Sequence, residues 1–410
     1  MEETVVVDNR EKEIKKERKP WIGEEASQKL FFILLLLIIL LSPGTRIISD
    51  ILPLEDYMII QSIYMLCVFG LFSVILIFEH IAHRIPWKKY KVAYACLIVM
   101  WLFSFLRSLD APIPKIAFLG NGYRAEGLLQ IGGYYVIFFV ATLLTNKKYR
   151  SILLQVILFL GTVISIIGLL QYLKIYSFWG SFSGMASFGF GNPNFYSTFA
   201  IMFAGIAMAG FWLYEEKSDV FHPYTWWKKG IWFIFSIFSF IACLASRCVV
   251  SYVGIIMMFL LMIFLAIVGK KKRYIRILIM IVSFLFVMFL LNSLSDGRVY
   301  AEFTKTFQEI EQEGSVFGDS VGTNRMKKWK EIVALLPTYW LYGCGIEHLG
   351  YVHLFTYGLG SEFEIVDKAH NEYLDLWVTR GIVVIVFYLI FLFALFIPGI
   401  MQYIKKKCYE

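Results

Sequence analysis

Eight polar side chains stand where helices should begin, and their types suit one kind of chemistry. Arg124 precedes an apolar run, in Gly122-Tyr123-Arg124-Ala125-Glu126-Gly127. Asn192 and Asn194 introduce another, in Gly191-Asn192-Pro193-Asn194, and Ser246-Arg247 a third. His370 and Asn371 lead into the last, in His370-Asn371-Glu372-Tyr373-Leu374. Arg325 follows Thr323, which can cap a helix of its own. Asn192-Pro193 reads as an N-cap followed by proline at the first helical position, where the missing N–H costs nothing. Helix N-termini present free N–H groups and a partial positive charge, so they favour anions. Arginines at that end oppose the dipole preference, and a bound anion would supply their missing partner. His370 adds a group with a near-neutral pKa, able to act as a base. The bland accounts are a snorkelling Arg247, a solvated Arg325 beside Lys327, Lys328 and Lys330, and a His370 that only opens a helix.

Other chemistries lack their residues. Nucleotide loops of the GxxxxGK[ST] or GxGxxG type are missing. Glu79-His80-Ile81-Ala82-His83 lies at a span end away from the other motifs, and Glu347-His348 with His353 lacks a credible third ligand set, so no metal site is expected. The six cysteines form no CxxC pair and read as small apolar packing residues.

The elements that must position these groups follow from composition. Of 410 residues, 59% are hydrophobic and only 17% charged. Ordinary globular chains hold about 45–50% and about 25%. Mean hydropathy is +0.66. A soluble core of this size cannot hide so much apolar surface, so much of it must face lipid. An all-α, polytopic membrane fold of about ten to twelve transmembrane helices is expected, with a large helical outer loop.

Ten runs are long enough, or nearly so, to cross a hydrocarbon core: 30–49, 57–79, 92–107, 128–146, 151–173, 195–214, 230–245, 248–269, 274–292 and 381–404. Four segments follow: a charged N-terminal stretch 1–29, spans within 30–292, an outer helical loop 293–370, and a last span with a basic tail, 371–410. The N-terminal stretch lacks the features of a cleaved signal, so the first span is expected to stay as an anchor. With both termini cytoplasmic, 25 of the 39 Lys and Arg fall on inner segments. Every short outer loop is then no richer in positive charge than its inner neighbours, as the positive-inside rule asks. The net charge of +8 is thereby absorbed by topology and anionic lipid, and nucleic acid needs no place as a partner.

In this topology all eight residues lie on the outer side. The long outer segment carries elements of its own. Residues 298–313 read as an acidic amphipathic helix, and Gly314 to Gly322 break it. From Thr323 a second helix presents Met326, Trp329, Ile332, Val333 and Leu336 on one face before Pro337. Gly343-Cys344-Gly345 then gives a tight turn.

The ordered set of motifs resembles the family of O-antigen ligases and related bacterial polysaccharide polymerases. It comprises Gly191-Asn-Pro-Asn194 opening a span, Ser246-Arg247 between near-contiguous spans, and Arg325 four residues before Trp329. The glycine turn at 343–345 and His370-Asn371-x-x-Leu374 before the last span complete it. The likeness covers about residues 117 to 395 and is strongest from 186 onward. It implies a GT-C-like, metal-independent glycosyltransferase of the cytoplasmic membrane that needs no cofactor. Such enzymes take a glycan from an undecaprenyl diphosphate carrier and pass it to a hydroxyl on a glycan or lipid-linked acceptor. By motif, Arg247 and Arg325 would hold the diphosphate and His370 would orient or deprotonate the acceptor. Arg124, Asn192, Asn194, Ser246 and Asn371 would support substrate binding. The stretch from Glu347 to Lys368, rich in aromatic and acidic residues, departs from the pattern and leaves the acceptor open. The other reading is a transporter or flippase of a lipid-linked glycan. Such proteins place broken helices and charges near the midplane, whereas here the arginines collect at one face.

Overall fold

The structure is a computed structural model that describes residues 23–51, 57–121, 126–175, 184–213, 229–268, 274–322, 324–358 and 366–405. Arg124 and Thr323 lie outside the described residues.

The chain is all-helical. Ten helices follow the ten apolar runs: α1 (Glu24–Ile51), α2 (Tyr57–Ile81), α3 (Trp87–Leu109), then after a short α4 (Pro114–Leu119) come α5 (Leu128–Leu143), α6 (Lys147–Tyr172), α7 (Pro193–Leu213), α8 (Lys229–Ala245), α9 (Val249–Val268) and α10 (Tyr274–Leu294). Four helices precede the last run: α11 (Arg298–Glu313), α12 (Arg325–Tyr339), α13 (Leu349–Tyr357) and α14 (Glu372–Arg380), and α15 (Ile382–Lys405) closes the chain. Among the described residues seven are long and apolar enough to cross a membrane, namely α3, α6, α7, α9, α10, α15 and the Ile63–Ile81 part of α2. The apolar α5 and α8 have 16 and 17 residues. At 1.5 Å per residue they fall short of a core about 30 Å thick.

Apolar packing builds two main cores in the bundle, and smaller clusters tie α3 to α5, α14 and α15. The larger core gathers α6 to α10 around buried Tyr196, Phe203, Met208, Phe240 and Tyr252. The smaller joins α1, α2, α5 and the start of α6 through Phe31, Phe72, Val140 and Leu153. A third cluster lies outside both. There Ile332, Leu335 and Leu336 of α12 meet Leu349 of α13 and Val378 of α14.

That third cluster corrects one detail of the helix face. Val333 is exposed and Leu335 takes its place inside. The helix also runs through Pro337 and ends at Tyr339.

Helix ends gather at one end of the bundle. Arg298 donates to the Tyr172 carbonyl at 2.7 Å, fastening α11 to the end of α6. Ala186 N–H donates to the Ala245 carbonyl at 2.9 Å, joining the approach to α7 with the end of α8. Arg107, at the end of α3, donates through Nε to the Gly343 carbonyl at 3.0 Å. The 341–345 turn then docks on α14, with Cys344 N–H bonding Val378 O at 2.8 Å and Gly345 N–H bonding Thr379 O at 2.9 Å. Gly343 has φ +73, and a Cβ there would strike the Thr379–Arg380 backbone, so only glycine serves.

Candidate active site

At this end a cavity of about 880 Å³ opens between α7, α9, α11 and α12. Its polar wall holds Asn192, Asn194, Arg247, Glu302, Lys305, Glu309 and Arg325, and Trp329 lies beside them. Four of the eight residues singled out by spacing therefore share one wall.

Local folding places each of them. The Asn192 side-chain carbonyl accepts the Asn194 N–H at 2.8 Å, which shapes the start of α7. Its amide N–H₂ is then left as a donor. The turn between α8 and α9 is tight enough to put Arg247 at φ +52. For a non-glycine residue this backbone costs roughly 1–2 kcal/mol. Ser246 builds that turn. It is fully buried, donates to the Cys243 carbonyl at 2.7 Å, and accepts the Cys248 N–H at 3.2 Å. Ser246 shapes the wall and does not line it.

Arg247 does not await a partner: its guanidinium is paired with Glu302 of α11. Both side chains are largely buried, 17% and 14% exposed. α11 is held across this site by Tyr252, whose ring stacks on Phe303 at 4.7 Å. On the same face Lys305 enters the cavity, and Glu309 accepts the Gly322 N–H at 2.9 Å just before α12. Asn324 precedes α12 with φ +63 and makes no side-chain cap on the first turn, which holds Arg325. Among the described residues Arg325 has no carboxylate partner. The wall thus sets three cations against two carboxylates, one of which is spent on a backbone N–H.

His370 and Asn371 do not line this cavity. The Trp329 indole N–H donates to the Ala369 carbonyl at 2.8 Å, so the cavity wall reaches the residue just before His370. His370 is exposed, at φ +49. Asn371 caps α14, its side-chain oxygen accepting from Tyr373 N–H at 3.1 Å and Leu374 N–H at 3.3 Å.

A second, smaller cavity of about 250 Å³ lies where α14 meets α3, α5 and α15. Glu126, Lys368, Glu372, Asp375 and Arg380 line it with Tyr134 and Tyr135. The Lys368 ammonium stands 2.9 Å from Glu347, 3.0 Å from Glu126 and 3.7 Å from Asp375. Burial opposes its charge, but the carboxylates of Asp375, Glu347 and Glu126 outweigh burial and raise its pKa.

The two histidines of the 347–353 stretch have separate work. His348 accepts the Ile113 N–H through Nε2 at 3.1 Å, and its Nδ1 lies 2.7 Å from the Ile346 carbonyl. Accepting at Nε2 requires the neutral ring with its proton on Nδ1. His353 Nε2 meets Glu331 at 2.9 Å.

Sequence spacing missed Glu302, Lys305 and Lys368. The first two were within reach: with Glu309 they fall at helical spacing on one face of α11. Lys368 gave no local sign, because two of its partners, Glu126 and Glu347, come from other stretches of the chain and Asp375 lies seven residues on.

No curated protein and no solved structure matches this chain. Residues 234–389 match the family model described as O-Antigen ligase. That stretch runs from α8 through Arg247, Arg325 and His370 into α15, and over it the chain is similar to the O-antigen ligase family.

Proposed function

We propose that the protein moves a glycan from an undecaprenyl diphosphate carrier to an acceptor hydroxyl, on the outer face of the cytoplasmic membrane. One observation carries this reading. Arg247, Lys305 and Arg325 converge with the Asn192 amide on a single cavity at helix starts. Planar guanidinium forks suit phosphate oxygens, and charge-assisted bonds to them are among the stronger polar contacts.

The chemistry follows from this arrangement. The acceptor oxygen attacks the anomeric carbon, and the bond from that carbon to the diphosphate oxygen breaks. The carrier diphosphate leaves with the electron pair, and Arg247 and Arg325 stabilise the negative charge that grows on it. The acceptor proton passes to the imidazole of His370. Asn192 and Asn194 line the diphosphate end, Ser246 and Asn371 shape the turn and the helix start, and Arg124 is a further cation for the same anion. No cofactor is needed for this displacement.

Both termini are then cytoplasmic, with 293–370 outside. A cysteine placed at Ser315 should react with an impermeant maleimide in intact cells, and one placed at Lys271 should not. The test of function is the purified protein in vesicles with a carrier-linked glycan. Transfer to a hydroxyl, with release of undecaprenyl diphosphate, supports the reading. Movement of the lipid across the bilayer without transfer supports a flippase instead.

A further inference from the structure

The strap 368–371 is fixed at almost every handle. Lys368 is gripped by three carboxylates from three elements: Glu126 before α5, Glu347 in the turn before α13, and Asp375 in α14. The Lys368 side chain is 19% exposed and that of Glu347 is fully buried. The next residue is held twice, since Ala369 N–H donates to Asp375 Oδ1 at 3.0 Å and its carbonyl accepts from Trp329. Asn371 is spent on capping α14. Between these anchors stands His370 in a left-handed backbone that a non-glycine residue adopts at a cost.

Fastening loops is a poor reason for such a cage. Burying an ion cluster carries a desolvation penalty, and apolar residues of equal volume often stabilise as well or better. What charges in fixed geometry supply is one defined arrangement. Here that arrangement ends on an imidazole, with the wall of the larger cavity bonded to the adjoining carbonyl.

We propose that Lys368 is a positioning residue for His370: its three-carboxylate cage sets the strap that presents the imidazole to the acceptor, and it takes no part in holding the carrier. This rests on the reading of His370 given above. Lys368 lines the smaller cavity and not the cationic one, so carrier binding and histidine placement are separable.

The test uses the full chain in vesicles with a carrier-linked glycan, as wild type, Lys368→Met, Lys368→Arg, His370→Gln and the double variant Lys368→Met/His370→Gln. Misplacing a catalytic group by about 1 Å costs on the order of a hundredfold. Lys368→Met should therefore lower kcat roughly ten- to a hundredfold, with the KM for the carrier changed by less than about twofold. Lys368→Arg should recover most of the rate. On the His370→Gln background, Lys368→Met should add less than about twofold, because the residue it positions is gone. Carbethoxylation of His370, followed by mass spectrometry, should change in rate in Lys368→Met.

Full multiplication of the two losses, or a carrier KM that rises in step with the loss of kcat, overturns the proposal. So does an unchanged kcat in Lys368→Met. If Lys368→Met does not reach the membrane folded, Glu347→Gln leaves the ammonium two carboxylates and should show the same pattern more weakly. If His370→Gln transfers at the full rate, it is the proposed role of His370 that fails. The carbethoxylation rate then decides the cage alone, and no change in that rate ends it.

Discussion

The two cavities at this end of the bundle carry opposite balances of charge. The larger sets Arg247, Lys305 and Arg325 against Glu302 and Glu309. The smaller sets Glu126, Glu372 and Asp375 against Lys368 and Arg380. A diphosphate is drawn to the first and repelled by the second, whatever their sizes. The carboxylates also differ in what they do. In the smaller cavity Glu126 and Asp375, with Glu347 beyond its lining, surround Lys368 and fix a strap. In the larger one, Glu302 pairs with an arginine that a ligand would claim. On the proposed function the difference is a division of labour, with anion capture at the cationic cavity and histidine placement at the lysine cage.

The sharpest way to break that division is at His370. Replacing it by Gln removes a base while keeping a polar side chain of similar reach. Positioned general bases contribute about 10²–10⁴-fold, so transfer should fall by that order while carrier binding persists. Loss of carrier binding in a folded variant would put His370 in the anion site and merge the two regions into one. Full transfer would remove it from catalysis.

Next in size come the arginines. Hydrogen bonds to charged groups are worth about 1.5–3 kcal/mol. Arg247→Ala or Arg325→Ala should each lose roughly ten- to a hundredfold in transfer, now together with carrier affinity. Lysine keeps the charge but loses the planar fork, so it should restore only part. The pair is not symmetric. Arg247→Ala also strands the buried Glu302 carboxylate, and Arg247→Ala/Glu302→Gln should fold better than Arg247→Ala alone. Wild-type transfer in both single variants would end the diphosphate assignment.

Glu302 itself offers a finer cut. In Glu302→Gln the Arg247 guanidinium loses its counter-charge, so the empty protein should be less stable. A bound diphosphate replaces that charge. The gain in thermal stability on adding undecaprenyl diphosphate should therefore be larger in the variant than in wild type. A smaller gain would mean that Glu302 helps to hold the ligand and does not compete with it.

Much of this was legible in the sequence, and the reason is locality. Ten apolar runs mark ten helices because lipid burial is written residue by residue. Asn192-Pro193 reads as a cap because a cap is decided within a few residues. Arg298–Glu313 emerged as a helix from its own period and from the glycine that ends it. What stayed hidden depends on contact between distant segments. Arg247 seemed to lack a partner because Glu302 lies on another helix, and Lys368 looked like one charge in a polar stretch. The family match covers 234–389, which takes in Arg247, Arg325 and His370 but leaves Asn192 and Glu126 outside. Both cavities therefore borrow walls from beyond the matched stretch.

The smallest expected effect is one of pH, and it concerns the region of the lysine cage. His348 sits beside Glu347 and ties the turn before α4 to the 345–349 segment through Ile113. Burial lowers its pKa below the ordinary imidazole value, with Arg107 adding to the effect against the opposing pull of the Ile346 carbonyl and Glu347. The unfolded chain then binds a proton at a pH where the folded chain does not. Stability is present above the ordinary imidazole pKa and is lost as pH falls through it toward the lowered folded value. Protonation would also cost the Ile113 bond, since a doubly protonated ring cannot accept an N–H. Thermal unfolding in detergent should therefore show a modest drop in Tm between pH 7.5 and pH 5, reduced in His348→Gln. Among the described residues the cationic cavity is lined by no histidine, so carrier binding should not follow the same curve. A Tm drop of the same size in His348→Gln would assign the pH dependence to another group, and carrier binding that tracks the wild-type Tm curve would show that the two regions are coupled.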